Sequence, residues 1–236
     1  MFEREQHRRI ASVLDALNPR LLAANQCLFG GGTAIALRFG EFRESGDLDF
    51  LVSDVPGFRA LRQLLSGPKG IGAITRPGAT LKQAREMRAD QYGIRTILEV
   101  ERSPIKFEMI LEARLQLERS AVTDRVSGIA TLTLLDLAAS TLLANSDRWA
   151  DDAVFSREVI DLAMMRPPGP LLRRALSKAQ LAYGRNIETD LAKAIEQLRR
   201  RRGRLNRCME ALQMRLPRAL LWQRIRALET VTARQS

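Results

Sequence analysis

The sequence predicts an α+β fold, in which a mixed β-sheet with flanking helices is followed by an all-helical, basic C-terminal region. Between residues 26 and 112, short segments alternate apolar and polar residues, which is typical of strands. From residue 132 onward, apolar residues recur at helical spacing. The whole excess of positive charge lies in residues 170–236, which hold 16 basic and 5 acidic residues. We therefore expect two regions of different structure and different partners.

Size and composition indicate a globular protein. The chain has 236 residues, of which 45% are apolar and 28% are charged. The N-terminal segment is charged and no apolar run is long enough to span a bilayer, so we expect cytoplasmic location without a membrane. Cys27 and Cys208 lie far apart and are expected to be free thiols. The single histidine, His7, has no evident partner in the sequence, which argues against a histidine-activated nucleophile.

In the first part of the chain, helices surround two short strands. Thr33 is expected to cap the third helix, and Gly40 to end it. The expected elements are helices over 2–17, 19–25, 34–39 and 57–65, with strands over 26–29 and 47–52.

Further strands are predicted over 80–86, 96–101 and 105–112, with a short edge strand over 124–126. Ser103-Pro104 marks the turn of an antiparallel hairpin between the second and third of these. The remainder is predicted as helices over 133–145, 153–165, 169–183, 187–202, 203–214 and 217–230.

We expect an α/β domain over 1–130 and a helical domain over 131–236, with a basic tail from residue 170. The segment Arg-Pro-Pro-Gly-Pro at 166–170 separates that tail from the preceding helices.

The stretch Phe29–Phe50 carries the strongest chemical signal. Its three glycines precede a helix, whose first N–H groups and dipole favour an anion such as phosphate. A plain tight turn explains the glycines equally well. Asp47 and Asp49 stand two residues apart on a strand, so they share a face, with Cα atoms roughly 6.5 Å apart. They form either a divalent-metal site or an exposed acidic face.

A third carboxylate lies in the strand Ile105–Ile110. If this strand lies beside the Asp47 strand, Glu108 joins the same face and completes a three-carboxylate site suited to metal-assisted phosphoryl transfer. The alternative is an ordinary surface ion pair between Lys106 and Glu108.

The order Gly-Gly-Thr-Ala, Arg43-x-Ser45-x-Asp47-Leu-Asp49-Phe, resembles the signature of the nucleotidyltransferase (polymerase-beta-like) superfamily. More narrowly, it resembles the AbiEii/AbiGii toxins of type IV toxin–antitoxin systems, over about residues 25–165. Lys106-Phe107-Glu108 is similar to the third block of the family, and the segments around Asp136 and Asp161 are similar to its helical block.

The resemblance implies a nucleotidyltransferase fold and transfer of a nucleoside monophosphate from an NTP to RNA, with tRNA as the expected acceptor and Mg²⁺ or Mn²⁺ as the metal. It also implies a cognate antitoxin as partner. Asp47, Asp49 and Glu108 would be the catalytic and metal-binding residues. The nucleotide-binding residues would be Gly31, Gly32, Thr33, Arg43, Ser45 and Asp161.

The chain departs from the family pattern at two positions. Ser140 stands where the family has a lysine that contacts triphosphate, and Glu158 replaces an aspartate. Arg148 or a basic residue of the tail is a hypothetical substitute for the lysine. These departures favour a second interpretation, a catalytically weak nucleotide- or RNA-binding regulator of the same fold.

The basic tail contains the run Arg-Arg-Arg-Arg-Gly-Arg, which predicts RNA binding because arginine makes bidentate contacts with phosphate. A solvated helix face is the alternative. The predicted RNA-binding residues are Arg199, Arg200, Arg201, Arg202 and Arg204.

Two further functions remain open from the sequence. An aminoglycoside-modifying nucleotidyltransferase would need an acidic pocket for a cationic drug, which the basic tail does not favour. A DNA-binding protein would carry the acidic face without catalytic use. Label transfer from NTP to RNA would separate both from the leading interpretation.

Overall fold

The computed structural model describes residues 2–232, with the side chains of residues 2–229. The chain divides into two compact units. The first contains residues 1–41 and 45–133, and the second contains residues 42–44 and 134–236.

The first unit holds a mixed sheet and four helices. Its helices are α1 (Glu5–Ala16), α2 (Pro19–Ala24), α3 (Gly31–Arg38) and α4 (Val55–Leu65). Its strands are β1 (Cys27–Gly30), β2 (Leu48–Val52), β3 (Lys82–Gln83), β4 (Arg88–Ala89), β5 (Gly93–Val100), β6 (Ser103–Leu111), β7 (Arg125–Val126) and β8 (Ile129–Ala130). The strand predicted over 80–86 is reduced to the two residues of β3. The edge strand predicted over 124–126 corresponds to β7, which pairs with β8 in a separate two-stranded sheet.

The strand order β1-β2-β6-β5-β3 places the acidic strand β2 near one edge of the main sheet, and β4 also pairs with β5. β2 runs antiparallel to β1 and parallel to β6, while β5 and β6 form an antiparallel hairpin. Phe29, Phe50 and Phe107 lie on these three neighbouring strands with successive ring centroids 5.5 Å apart. This buried row belongs to a core that also contains apolar residues of α1 and α4.

The β5–β6 hairpin was predicted correctly, but its turn was placed too late. Glu101 and Arg102 form the two-residue connection, and both have positive φ, of 50° and 65°. Ser103 and Pro104 instead begin β6. Two positive φ values match the twist of a tight hairpin, but glutamate and arginine are not the residues that signal such a turn.

Between residues 134 and 232, the regular elements of the second unit are all helices. They are α5 (Leu134–Arg148), α6 (Arg157–Met165), α7 (Gly169–Tyr183), α8 (Asn186–Arg200), α9 (Arg204–Ala211) and α10 (Arg218–Thr232). α5 packs against α6, α7 and α8, and buries Leu137, Ala138 and Leu142. No helix between residues 2 and 232 is long and apolar enough to cross a membrane.

Candidate active site

The acidic strand and the Glu108 strand are direct neighbours. In the parallel pairing of β2 with β6, Asp49 is in register with Glu108, and Leu48 with Phe107. Neighbouring residues in register share a face of the sheet, so the Asp49 and Glu108 carboxylates project to the same side. Leu48 and Phe107 are fully buried on the other side. The predicted juxtaposition of Asp49 with Glu108 is therefore confirmed.

Asp47 is exposed and directly precedes the first residue of β2, Leu48. Continuing the same register places Asp47 beside Lys106, two residues before Glu108. Asp47, Asp49, Lys106 and Glu108 therefore form a block of three acids and one base on one face of two adjacent strands.

Two cations hold Glu108 in place. The Lys106 ammonium lies 3.0 Å from Glu108 Oε2, and the Arg95 guanidinium forms an ion pair with Glu108 Oε1 from β5. Burial by itself would raise the pKa of Glu108, but these two ion pairs outweigh it and leave that pKa below its usual value. The surface-pair alternative is thus also correct, since Glu108 faces Asp49 and pairs with Lys106 at once.

The protonated form of Lys106 is stabilised by all three carboxylates. Its hydrogen bond with Glu108 raises the pKa of the Lys106 ammonium, and the charges of Glu108, Asp49 and Asp47 raise that pKa further, against the effect of burial. The lysine therefore stays protonated and supplies a positive charge to the acidic face.

The glycine turn packs directly against this face. Gly31 has φ of 66°, and a Cβ atom added to it would lie 2.5 Å from Asp49 Oδ2. Only glycine permits both the positive φ and the close carboxylate. The predicted cap is wrong, because α3 already begins at Gly31, and Thr33 lies inside its first turn.

Thr33 and Ser45 contact each other. The Thr33 Oγ1 and Ser45 Oγ atoms are 2.8 Å apart, and Thr33 is buried. The Ser45 backbone N–H donates to His7 Nε2 at 3.2 Å. The other ring nitrogen of His7, Nδ1, is 2.7 Å from Glu41 Oε1, so this buried histidine bridges two positions of the loop after α3. This role of His7 was not predictable from the sequence, because both partners are distant along the chain.

Arg43 and Asp161 lie together in the second unit. Arg43 Nε and Nη2 donate to the two Asp161 carboxylate oxygens at 2.6 and 2.7 Å, and both side chains are buried. Burial opposes the charge of Arg43, but the nearby Asp161 carboxylate raises its pKa above the usual value. The two side chains that were predicted to bind nucleotide are therefore hydrogen-bonded to each other.

The helical block forms its own ion pairs within the second unit. Arg148 Nη2 is 2.6 Å from Glu158 Oε1, and Lys178 Nζ is 2.5 Å from Asp136 Oδ1. Ser140, at the position of the family lysine, donates its hydroxyl to the Leu137 carbonyl. Arg148, the hypothetical substitute, is therefore engaged by Glu158.

The donor chemistry of the acidic face fits a hard divalent cation, because oxygen ligands from carboxylates are what Mg²⁺ and Mn²⁺ prefer. The carboxylates share one face, so these residues fit such a cation by type and position, but Glu108 is paired with cations of the protein itself. Among the residues that the structure describes, no three acidic, histidine or cysteine side chains converge as metal ligands. Both oxygens of Glu108 are directed to Arg95 and Lys106 instead.

Acids neutralise much of the arginine run in the second unit. Arg200 Nε is 2.5 Å from Glu196, Arg199 pairs with Glu196 and Glu229, and Arg201 contacts Asp152 at 2.8 Å. These carboxylates offset the repulsion between neighbouring arginines.

Arg204 differs from the other arginines of this run. It is buried, and its guanidinium contacts Asp152 at 2.5 Å and Ser156 at 3.2 Å. Its guanidinium is therefore not presented to the surface.

A groove of about 930 Å³ follows this run. Lys193 Nζ lies 5.2 Å from the centre of the Trp149 ring, which places a cation over an aromatic face inside the groove. The aromatic and basic residues that line the groove are Trp149, Arg185, Lys193, Arg199, Arg200 and Arg201.

A mixed sheet that sets an acidic strand against a glycine turn, with another carboxylate on the neighbouring strand, defines a nucleotidyltransferase. The chain belongs to the family described as "Nucleotidyl transferase AbiEii toxin, Type IV TA system", whose profile matches residues 12–230. This confirms the family predicted from the sequence and extends the resemblance over almost the whole chain.

Solved structures share the fold. The chain is similar to JHP933 from Helicobacter pylori, with a TM-score of 0.54 and 14% identity over 100% of this chain and 96% of that one. It is also similar to a candidate nucleotidyltransferase from H. pylori, with a TM-score of 0.51 and 15% identity over 98% and 96% of the two chains. Identity this low supports the fold alone. The chain has no significant match among curated proteins.

Proposed function

We propose that this nucleotidyltransferase transfers a nucleoside monophosphate from an NTP to RNA, with tRNA as the acceptor, and acts as the toxin of a type IV toxin–antitoxin pair. The observation that carries the proposal is the placement of Asp49 beside Glu108 and against Gly31. Carboxylates on one side and backbone N–H groups on the other suit a triphosphate and its cation.

In this proposal, Asp47, Asp49 and Glu108 hold Mg²⁺ or Mn²⁺, which supplies a Lewis acid for the phosphates when bound. The first turn of α3, with Gly31 and Gly32, donates backbone N–H groups to the triphosphate.

Thr33 and Ser45 order the neighbouring loop through their hydroxyl contact, which is the support for their predicted role at the nucleotide. Arg43 and Asp161 are proposed to contribute indirectly, because their groups are engaged in a buried pair.

The reaction requires one bond to form and one to break. An acceptor hydroxyl oxygen bonds to the α-phosphorus of the NTP, the bond from that phosphorus to the bridging oxygen breaks, and pyrophosphate leaves. The hydroxyl proton passes to a carboxylate of the acidic face. The ion pairs of Glu108 lower its pKa, so as it stands it is a weaker base than an ordinary glutamate.

RNA binding is proposed for the second unit. The groove combines an aromatic ring with exposed arginines and Lys193, which is the combination that binds unpaired nucleotides by stacking and phosphate contact. Arg199, Arg200, Arg201 and Arg202 remain candidates, whereas the burial of Arg204 argues for a structural role. The ion pairs of these arginines lie at the surface and contribute little stability, so the arginines can exchange them for contacts with RNA phosphates at little cost.

Family membership supports a cognate antitoxin as a protein partner. A weak or regulatory member of the same fold is the second candidate, and the ion pairs of Glu108 with Lys106 and Arg95 favour it.

Transfer of label from radioactive NTPs to total tRNA, with Mg²⁺ present, tests the proposal. We expect the wild type to label tRNA and Asp49→Asn to lose at least a hundredfold of that activity. Asp15→Asn, on the exposed side of α1, is the matched acid-to-amide control and should retain full activity. Absence of labelling by the wild type, with RNA still bound, would support the regulator instead.

A further inference from the structure

The acidic face already contains a cation of its own. Lys106 lies on β6 two residues from Glu108, contacts Glu108 Oε2 at 3.0 Å, and stands in the register position beside Asp47. Half of its side chain is exposed, so its ammonium reaches this place along the face rather than through the core.

A divalent cation on this face needs the same carboxylate oxygens. Glu108 has two, and Lys106 and Arg95 engage one each. The ammonium of Lys106 and a divalent cation also repel each other at such short range. Both cannot occupy the centre of the three carboxylates.

We propose that Lys106 competes with the divalent cation for Glu108, so that metal binding requires the Lys106 ammonium to leave this carboxylate. The inference rests on the metal of the proposed function. In this inference, Lys106 neutralises the Glu108 carboxylate and holds it in position until metal and nucleotide bind together. A bound triphosphate offers the departing ammonium new anionic oxygens, so metal and NTP bind cooperatively.

The experiment measures Mn²⁺ affinity directly, by the loss of the free-ion electron paramagnetic resonance signal, without any turnover. We expect Lys106→Gln to bind Mn²⁺ about tenfold more tightly than the wild type, because a competing charge is removed and one Glu108 oxygen is released. The gain should shrink as salt is added, since half of the Lys106 side chain is exposed.

Three control variants define the effect. Lys106→Arg keeps the charge and should bind Mn²⁺ within about twofold of the wild type. Lys82→Gln removes a lysine of the same sheet, paired with Glu99 at 2.5 Å, and should also leave the affinity unchanged. Asp49→Asn combined with Lys106→Gln should lose the Mn²⁺ site, which ties the measured ion to this face. Circular dichroism confirms that each variant is folded.

Three outcomes would overturn the inference, and each has a different meaning. Equal or weaker Mn²⁺ binding by Lys106→Gln, with a measurable wild-type affinity, rejects the competition but keeps the metal site. Weaker NTP binding in the presence of a chelator, with unchanged Mn²⁺ affinity, would make Lys106 a phosphate ligand. Absence of Mn²⁺ binding in every variant rejects the competition together with the metal of the proposed function.

Discussion

Gly31 occupies a position where a side chain would meet the carboxylate of Asp49. Its φ of 66° belongs to the left-handed region, and an added Cβ would come within 2.5 Å of Asp49 Oδ2. The glycine therefore fixes the distance between the first turn of α3 and the acidic strand. Substitution here changes both the backbone and the placement of the Asp49 carboxylate.

We expect Gly31→Ala to lower the free energy of unfolding by about 2–4 kcal/mol, from left-handed strain plus the clash. NTP transfer should fall with it. Gly40→Ala is the matched control, because Gly40 also has positive φ, 87°, but nothing lies within 4 Å of its added Cβ. It should cost only about 1–2 kcal/mol. Urea unfolding of both variants measures the difference, and equal losses would show that the contact with Asp49 is unimportant.

Also at the level of single residues, the alternation of apolar and polar side chains along β2 and β6 was sufficient to predict that the carboxylates share one face. Asp47, Asp49 and Glu108 required only period-two reasoning and one assumption about pairing. Lys106 and His7 were not predicted in their roles. Lys106 was treated as an alternative to the acidic site rather than a part of it, and the partners of His7 are brought near only by folding.

Among the elements, the β5–β6 hairpin and the series of C-terminal helices were predictable from local sequence patterns. The start of helix α3 and the position of the hairpin turn were not. Helix α3 starts at Gly31 because the sheet fixes the preceding strand, which overrides the capping preference of Thr33. The turn at Glu101 and Arg102 has no glycine or asparagine to mark it. Tertiary contacts determine such positions, and a single sequence does not display them.

The groove along α8 predicts how RNA binding depends on charge. Replacing Arg200 or Arg201, which line the groove, by Gln should weaken binding of tRNA severalfold at physiological salt, because each arginine contributes one phosphate contact. The slope of log affinity against log salt should fall by about one for each replacement. Binding is measured by fluorescence anisotropy at several salt concentrations.

Arg59→Gln, an exposed arginine on α4, removes the same charge outside the groove and serves as the control. An identical change in affinity and slope for this variant would show that net charge, rather than the groove, determines RNA binding.

On the scale of the whole molecule, charge is distributed very unevenly. The net charge of +11 comes from residues 170–236, while the acids of residues 1–169 are balanced by an equal number of basic residues. Among them, Glu41 connects the N-terminus of α1 to the loop after α3. It accepts the backbone N–H groups of Glu3 and Arg4 and contacts His7.

This arrangement makes stability sensitive to acid. Burial would raise the pKa of Glu41, but its hydrogen bonds to Glu3, His7 and Arg4 lower it below 4.5. A carboxyl whose pKa is lowered by folding stabilises the protein above its unfolded pKa, and this contribution is lost as pH falls through the folded pKa. Thermal stability should therefore decline below about pH 4.5.

Glu41→Gln should be about 1–2 kcal/mol less stable than the wild type at pH 7, and the difference should shrink as the pH falls below 4.5. Thermal unfolding followed by circular dichroism between pH 3 and 7 measures both. Glu86→Gln, at an exposed position, should match the wild type throughout. A pH-independent difference for Glu41→Gln would mean that its charge contributes nothing.

The parallel pairing of β2 with β6 also has a consequence for biosynthesis. Asp49 and Glu108 meet only when a strand made early is joined by one made much later, after the whole intervening segment has been translated. Non-local pairings of this kind form slowly, because the long loop must close first. A ribosome that has produced β2 but not β6 therefore carries a fragment in which Asp49 and Glu108 have not yet met.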